Sequence, residues 1–289
     1  MERLWTRRGV LAGGALLPLA ARAGDEPEGL IAQTEKRAGG RLGVAAIDTQ
    51  NGRRILHRAG ERFPMCSTFK LLLAARILQK VDRGEEQLGR RIPFGESDLL
   101  EYAPVTRKRA GEGGMRVDDL AAAAIEWSDN TAANLLLASI GGPSAYTRFV
   151  RSLGDGETRL DRNEPALNAS IPGDPRDTTT PQAMADDLNR VLLGSVLSPA
   201  SRMLLVRWMI DCRTAEKRIP AGLPAKWESG NKTGTGENGS TNDIAILWPP
   251  GRKPVLLAVY YTGSHGEFGA REAVIADVAR IVGRTIQPV

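Results

Sequence analysis

The chain has 289 residues, 42% of them hydrophobic and 25% charged, with a formal net charge of +5. That size and balance describe one large or two moderate globular domains, and they exclude a disordered or membrane-embedded chain. Two histidines and two cysteines, at 57, 265, 66 and 212 and without ligand-like spacing, exclude a structural zinc centre and leave any nucleophile to take its base from Lys, Asp or Glu.

The first residues carry Arg3, Arg7, Arg8 and Arg22 against Glu2, with an apolar, small-residue run from Val10 to Ala21 and the triplet Ala21-Arg22-Ala23. This reads as an export signal over 1–23, and Thr6-Arg7-Arg8-Gly9-Val10-Leu11 points to the twin-arginine variety, placing the mature protein in the periplasm or outside the cell. The run is well short of the roughly 18 residues of an anchor and is broken by Pro18, so no stable membrane anchor is expected after cleavage behind Ala23. Removing 1–23 takes away four arginines and one glutamate, leaving +2, too little to call for a nucleic-acid partner.

Glu26 to Arg37 has helical apolar spacing, with Pro27 near its start and Gly39-Gly40 at its end. Leu42 to Asp48 is a β-rich run, Asn51-Gly52 signals a type I′ hairpin turn, and Arg53 to His57 returns as the partner strand. Ser67 to about Asp82 predicts an apolar helix, followed by helices near 118–127, 131–139, 143–153, 181–193 and 199–209. Strands return over about 228–235, 243–248 and 255–261, before a last helix over about 268–282. With β signals at both ends, the pattern predicts an α+β fold: a five-stranded antiparallel sheet flanked by the terminal helices, with a large helical insertion. The expected parts are a discontinuous α/β domain over 24–63 and 211–289 and an all-α domain over 64–210. Junctions near 60–70 and 210–235 are the first places to seek a site.

Four clusters could carry chemistry. Ser67 and Lys70 form S-x-x-K at a helix start, where a lysine base could serve a serine nucleophile and the helix N-terminus favours a developing oxyanion. Alone, the pair could equally be a helix-capping serine and a snorkelling lysine. Ser128-Asp129-Asn130 would pass for an ordinary polar helix boundary. Lys232-Thr233-Gly234-Thr235-Gly236 edges a strand whose glycine lets a ligand approach the backbone; a phosphate loop is ruled out because Lys226 and Asn231 stand where it needs glycine. Arg162-Asn163-Glu164-Pro165-Ala166-Leu167-Asn168 opens a compact polar Ω-like loop over about 162–177, in which Glu164 and Asn168 could hold a water, although a solvated loop glutamate is the commoner case.

Taken together, S-x-x-K, S-D-N, E-x-x-L-N and K-T-G resemble the class A serine β-lactamases, with their β-lactamase/transpeptidase-like fold. The likeness runs on through Phe63-Pro64-Met65-Cys66-Ser67-Thr68-Phe69-Lys70, Tyr102-Ala103-Pro104-Val105-Thr106, Arg176-Asp177-Thr178-Thr179-Thr180-Pro181 and Ala221-Gly222-Leu223-Pro224. By that resemblance Ser67 attacks the β-lactam carbonyl, and the backbone N–H groups of Ser67 and Thr235 form the oxyanion hole. Lys70 and Glu164 are both candidate acylation bases, Ser128 protonates the departing nitrogen, and Lys232 tunes that hydroxyl. Glu164 with Asn168 activates the deacylating water. Tyr102, Asn130, Thr233, Gly234 and Thr235 bind substrate, and Arg162 pairs with Asp177 across the base of the loop. The implied partners are small-molecule β-lactams and β-lactamase inhibitors, acting on a monomer that needs no metal or other cofactor.

Two departures from the family pattern stand out. Thr241 lies where many members place a strand arginine, and Arg218 holds the alternative position, making it the expected carboxylate anchor. Cys212 replaces a more usual Asn or Asp. Cys66 precedes the nucleophile as in some broad-spectrum members, but Gly236 stands where their partner cysteine would be, so the resemblance implies no such bridge. Cys66 and Cys212 are expected to be free, buried thiols. The rival readings are a penicillin-binding D,D-peptidase and a non-hydrolysing β-lactam sensor; Glu164 and Asn168 argue against both.

Overall fold

The computed structural model describes residues 26–286, so the export-signal reading over 1–23 lies outside the described residues. The chain opens with α1 (Pro27–Ala38), then β1 (Arg41–Asp48) and β2 (Arg54–His57). A short β3 (Phe63–Pro64) and a 3-10 turn over Cys66–Thr68 lead into α2 (Phe69–Asp82). The helical middle comprises α3 (Val117–Glu126), α4 (Asn130–Ser139), α5 (Gly142–Ser152), α6 (Pro181–Leu192), α7 (Pro199–Ile210) and a short α8 (Ile219–Gly222). Within it, β4 (Arg91–Ile92) pairs with β5 (Met115–Arg116), and β6 (Thr178–Thr179) pairs with β3. The chain ends with β7 (Glu228–Thr235), β8 (Thr241–Trp248), β9 (Val255–Thr262) and α9 (Phe268–Thr285).

The five long strands form one antiparallel sheet in the order β2-β1-β9-β8-β7. The central strands have both faces covered, and the two-residue alternation of side chains decides which core each residue joins. Leu256, Ala258 and Tyr260 of β9 face the helical middle; Val255, Leu257, Val259 and Tyr261 pack with Ile31 of α1 and Ile275 of α9. The strand registers follow from this two-sided burial, because a one-residue slip would exchange the two sets.

Three local expectations are corrected. Ser67 stands in a 3-10 turn, one residue before the Thr68 that caps α2, so the pair with Lys70 spans the turn and the first helical turn rather than one regular helix. The first hairpin is not a two-residue type I′ turn: Asp48 and Arg53 are bridged by a 2.9 Å backbone bond, Asp48 Oδ1 accepts the Gln50 N–H, and only Gly52 (φ +79°) is left-handed. Cys66 and Cys212 are both free, but only Cys66 is buried; Cys212 is half-buried beside the cleft.

Candidate active site

Catalytic candidates from four separate segments converge where the 3-10 turn before α2 meets β7. Gly234 makes the approach possible, since a Cβ there would stand 2.7 Å from the Met65 carbonyl oxygen and 3.2 Å from Cys66 Cβ. Asn242 of β8 fastens the same junction through Nδ2 bonds to the carbonyls of Pro64 (2.9 Å) and Met65 (3.1 Å). The strand alternation also sets which backbone N–H groups of β7 leave the sheet. Gly236 donates its N–H to Ser240 O across the β7–β8 turn, so the N–H of Thr235 points the opposite way, off the edge of β7, and β7 packs against the 3-10 turn that holds Ser67.

Ser67 Oγ donates to Glu164 Oε1 at 3.3 Å, and the same oxygen receives Lys70 Nζ at 3.0 Å. Both side chains of that ion pair are fully buried. Lys70 also donates to Ser128 O (2.7 Å), Asn130 Oδ1 (2.6 Å) and, at 3.4 Å, Ser128 Oγ. Burial pushes the Lys70 ammonium below the usual lysine range, and the Glu164 charge opposes that shift. Lys232 Nζ reaches Ser128 Oγ at 3.0 Å and Thr233 O at 2.8 Å. Burial, with the Lys70 charge second, pulls its pKa down to about 7. Ser128 therefore stands between two amines, each with a weakened hold on its proton.

Ser128 has a left-handed backbone, φ 59°, and the following residue secures it. Asp129 is fully buried, caps α4 by accepting the Ala132 N–H, and also takes the N–H groups of Val105 and Thr106. Tyr102 lies on the segment so tied down: its carbonyl accepts the Asn130 N–H, and its half-exposed ring lines the cleft.

Glu164 is supported from both ends. Its Oε2 accepts Asn168 Nδ2 at 2.5 Å, while Asn134 of α4 exchanges two hydrogen bonds with its backbone, at 2.9 and 3.0 Å. The base of its loop is closed by Arg162 Nε to Asp177 Oδ2 (2.5 Å), with Asp177 Oδ1 accepting the N–H groups of Asp161 and Arg162. Arg218 is 3% exposed and heavily committed: Nε to Glu272, Nη1 to the carbonyls of Gly234 and Asn242, and Nη2 to Thr235 Oγ1 at 2.7 Å. Its charge reaches the cleft largely through Thr235. Cys212 Sγ contacts Thr214 Oγ1 at 3.4 Å, and Thr214 bonds Thr233 Oγ1 at 2.5 Å.

The resulting cleft, about 470 Å³, is lined by Ser67, Ser128, Asn168, Thr235 and their neighbours. A larger hollow of about 720 Å³ lies beyond the Ω-like loop, against Arg41, Arg62 and Ile171, and contains none of these groups; convergent polar chemistry, rather than size, marks the site. His57 sits on the edge strand β2, bonded to Glu35, and His265 in the turn after β9, both outside the cleft. Asn134, Thr214, Asn242 and Glu272 are absent from the sequence-based set. Asn134 and Glu272 lie on helices, Asn242 on β8 and Thr214 in the bend after α7, and none carries a local signal of its long-range partner.

The arrangement can activate a serine, place an oxyanion between two backbone donors, hand a proton to a leaving group and deprotonate a second nucleophile at Glu164. A family model described as the beta-lactamase enzyme family matches residues 27–286. The chain is 47% identical over 273 residues to beta-lactamase CTX-M-8 of Citrobacter amalonaticus, covering 94% of this chain and 92% of that one. It is 47% identical over 289 residues to beta-lactamase L2 of Stenotrophomonas maltophilia, covering 96% and 95%. Among solved structures, an ancestral (GNCA) class A beta-lactamase superposes with a TM-score of 0.89 at 58% identity, over 90% of this chain and all of that one.

Proposed function

The chain belongs to the class A serine β-lactamases, which hydrolyse β-lactams and confer resistance to them, and we propose that Ser67 carries the reaction here as the acylated nucleophile. The observation that supports this assignment is the buried chain of direct contacts that runs from Ser67 Oγ to Glu164, from Glu164 to Lys70 and from Lys70 to Ser128 Oγ.

In this reading the proton of Ser67 passes to Glu164 Oε1 as Oγ bonds to the β-lactam carbonyl carbon. The N–H groups of Ser67 and Thr235 receive the oxyanion; such a donor contributes about 10²–10³ in rate because it acts on charge that exists only as the tetrahedral state forms. The carbon–nitrogen bond then breaks, and the ring nitrogen takes a proton from Ser128 Oγ. Lys70 replaces that proton, and Glu164 returns one to Lys70, which restores the carboxylate. Glu164, with Asn168, next deprotonates a water that cleaves the ester and frees Ser67. Asn130 has its Oδ1 committed to Lys70, so its Nδ2 is the group for the substrate's side-chain amide. The substrate carboxylate lies towards Lys232, Thr233, Thr235 and Arg218.

Chromogenic cephalosporin hydrolysis, read beside intact-protein mass after penicillin exposure, tests the assignment. Wild type turns over, Ser67→Ala forms no adduct, and Glu164→Ala retains one. A wild type that stays stoichiometrically acylated would overturn hydrolysis in favour of the peptidase or sensor reading.

Further proposals concern the protein's setting. Residues 1–23 act as a twin-arginine signal, supported by Arg7-Arg8, the short apolar run and Ala21-Arg22-Ala23; a secreted form beginning at Gly24 is the expected mass. No described helix is long and apolar enough to cross a membrane. The mature enzyme works as a monomer, with 64–210 as a helical unit set into an α/β unit of 24–63 and 211–289. The two hydrophobic clusters on opposite sheet faces support that division.

A further inference from the structure

Phe268 opens α9 at the cleft and leaves 44% of its surface exposed. The guanidinium groups of Arg218 and Arg271 stand 5.7 and 5.4 Å from its ring centroid, and Arg218 is itself fixed by Gly234, Asn242 and Glu272. A ring so held is a fixed wall rather than a loose surface group. Two half-exposed aromatic side chains line the cleft. Tyr102 belongs to the end occupied by Asn130, and Phe268 to the end occupied by Arg218 and Thr235.

We infer that Phe268 is a specificity-determining residue that receives the substituent carried beside the ring carboxylate, and that it selects for uncharged aromatic or extended apolar groups there. The inference rests on the placement of the substrate carboxylate under Proposed function. In a cephalosporin the carboxylate and the variable C3 substituent sit on adjacent ring carbons, so a wall beside the carboxylate anchor meets the C3 group. An aromatic C3 group gains contact area and ring stacking on Phe268. A cationic C3 group on the same ring instead comes close to the positive charges of Arg218 and Arg271, which flank Phe268, and Glu272 is already bonded to Arg218.

Three cephalosporins that differ at C3, bearing a dinitrostyryl, a methyl or a pyridiniomethyl group, test this with wild type, Phe268→Ala, Phe268→Leu and Phe268→Tyr. The KM ratio of styryl to methyl substrate rises about 5- to 10-fold in Phe268→Ala, with the change in KM rather than kcat. It rises less in Phe268→Leu and returns to the wild-type value in Phe268→Tyr. The corresponding ratio for the pyridinium substrate does not rise. An unchanged styryl ratio, or an equal KM rise for all three substrates, overturns the inference; the latter would make Phe268 merely a prop for Arg218. Wild-type turnover of benzylpenicillin in the same series separates the two levels. Its absence defeats the hydrolase reading, whereas its presence beside an unchanged ratio defeats only the role of Phe268.

Discussion

Asn134 grips Glu164 by its backbone: Nδ2 donates to the Glu164 carbonyl at 2.9 Å and Oδ1 accepts the Glu164 N–H at 3.0 Å. A side chain on α4 thus sets the height at which a loop carboxylate enters the cleft. Replacing it by leucine strands both backbone groups, a loss of about 1–3 kcal/mol or roughly 5- to 150-fold in rate if it falls on one step. Asn134→Leu is expected to slow deacylation by that factor, so that acyl-enzyme accumulates during turnover. Intact mass at steady state, with kcat, checks it; normal kcat without adduct counts against the clamp.

The Arg162–Asp177 pair makes a separable claim about the same loop. The Asp177 side chain is 1% exposed and the Arg162 side chain 19%, so losing the arginine leaves a carboxylate buried with only backbone donors. Arg162→Ala is expected to destabilise the fold by about 1–3 kcal/mol, each kcal/mol lowering Tm by roughly 2–4 °C, and to favour bulky cephalosporins over penicillins in relative kcat/KM. An unchanged melting temperature and unchanged kinetics across several β-lactams would sink it.

Lys232 gives the free enzyme a pH dependence. Its pKa is brought down to about 7 by burial and by the Lys70 charge, so the ammonium is present below that pH and lost above it. For anionic β-lactams kcat/KM should fall as pH rises through about 7, mainly through KM, while kcat moves less because a bound carboxylate favours the ammonium form. A Lys232→Arg variant keeps its charge over the whole range and flattens the alkaline limb, at reduced activity. An identical limb in that variant would assign the titration elsewhere.

Asp187 carries a stability cost far from the cleft. Burial, and then the charge of Asp155, raises its pKa to about 8, and one oxygen of each carboxylate is buried without a hydrogen-bond partner. Arg190 opposes this at 2.7 Å, but its side chain is 35% exposed and screened while that of Asp187 is fully buried, so burial prevails. A carboxyl with a raised folded pKa favours the native state at low pH, and that stability declines from about pH 4 to about pH 8. Wild-type Tm should fall by several degrees between pH 5 and 8, and Asp187→Asn should remove most of the fall. Parallel melting curves for the two proteins would refute the assignment.

The sheet and the four motif clusters were legible because both rest on local pattern: alternating apolar runs at the chain's ends, and polar residues at short, fixed spacing. What escaped depends on contacts that no window of sequence contains. The pairs β3–β6 and β4–β5 are two residues long, too short for alternation to register, and exist because tertiary packing brings their partners together. Asn51-Gly52 signals a tight turn correctly in kind but not in length, since the Asp48 side chain competes for the same backbone. Asn134 and Glu272 read as helix residues and nothing more; their roles come from Glu164, thirty positions away, and Arg218, fifty-four positions away.

The eight consecutive β7–β8 pairs, from Glu228 opposite Trp248 to Thr235 opposite Thr241, make the proposed oxyanion donor a matter of counting. Every second N–H on β7 points into the sheet and the alternate ones point off its edge, so parity alone chooses which residue presents its N–H on the side of Ser67. An odd-numbered insertion between Lys232 and Thr235 would change that parity and silence the enzyme with every catalytic side chain still in the sequence. An even-numbered change in the Gly236–Ser240 turn could leave it working. Substitution scans are blind to this dependence, which only insertions and deletions would expose.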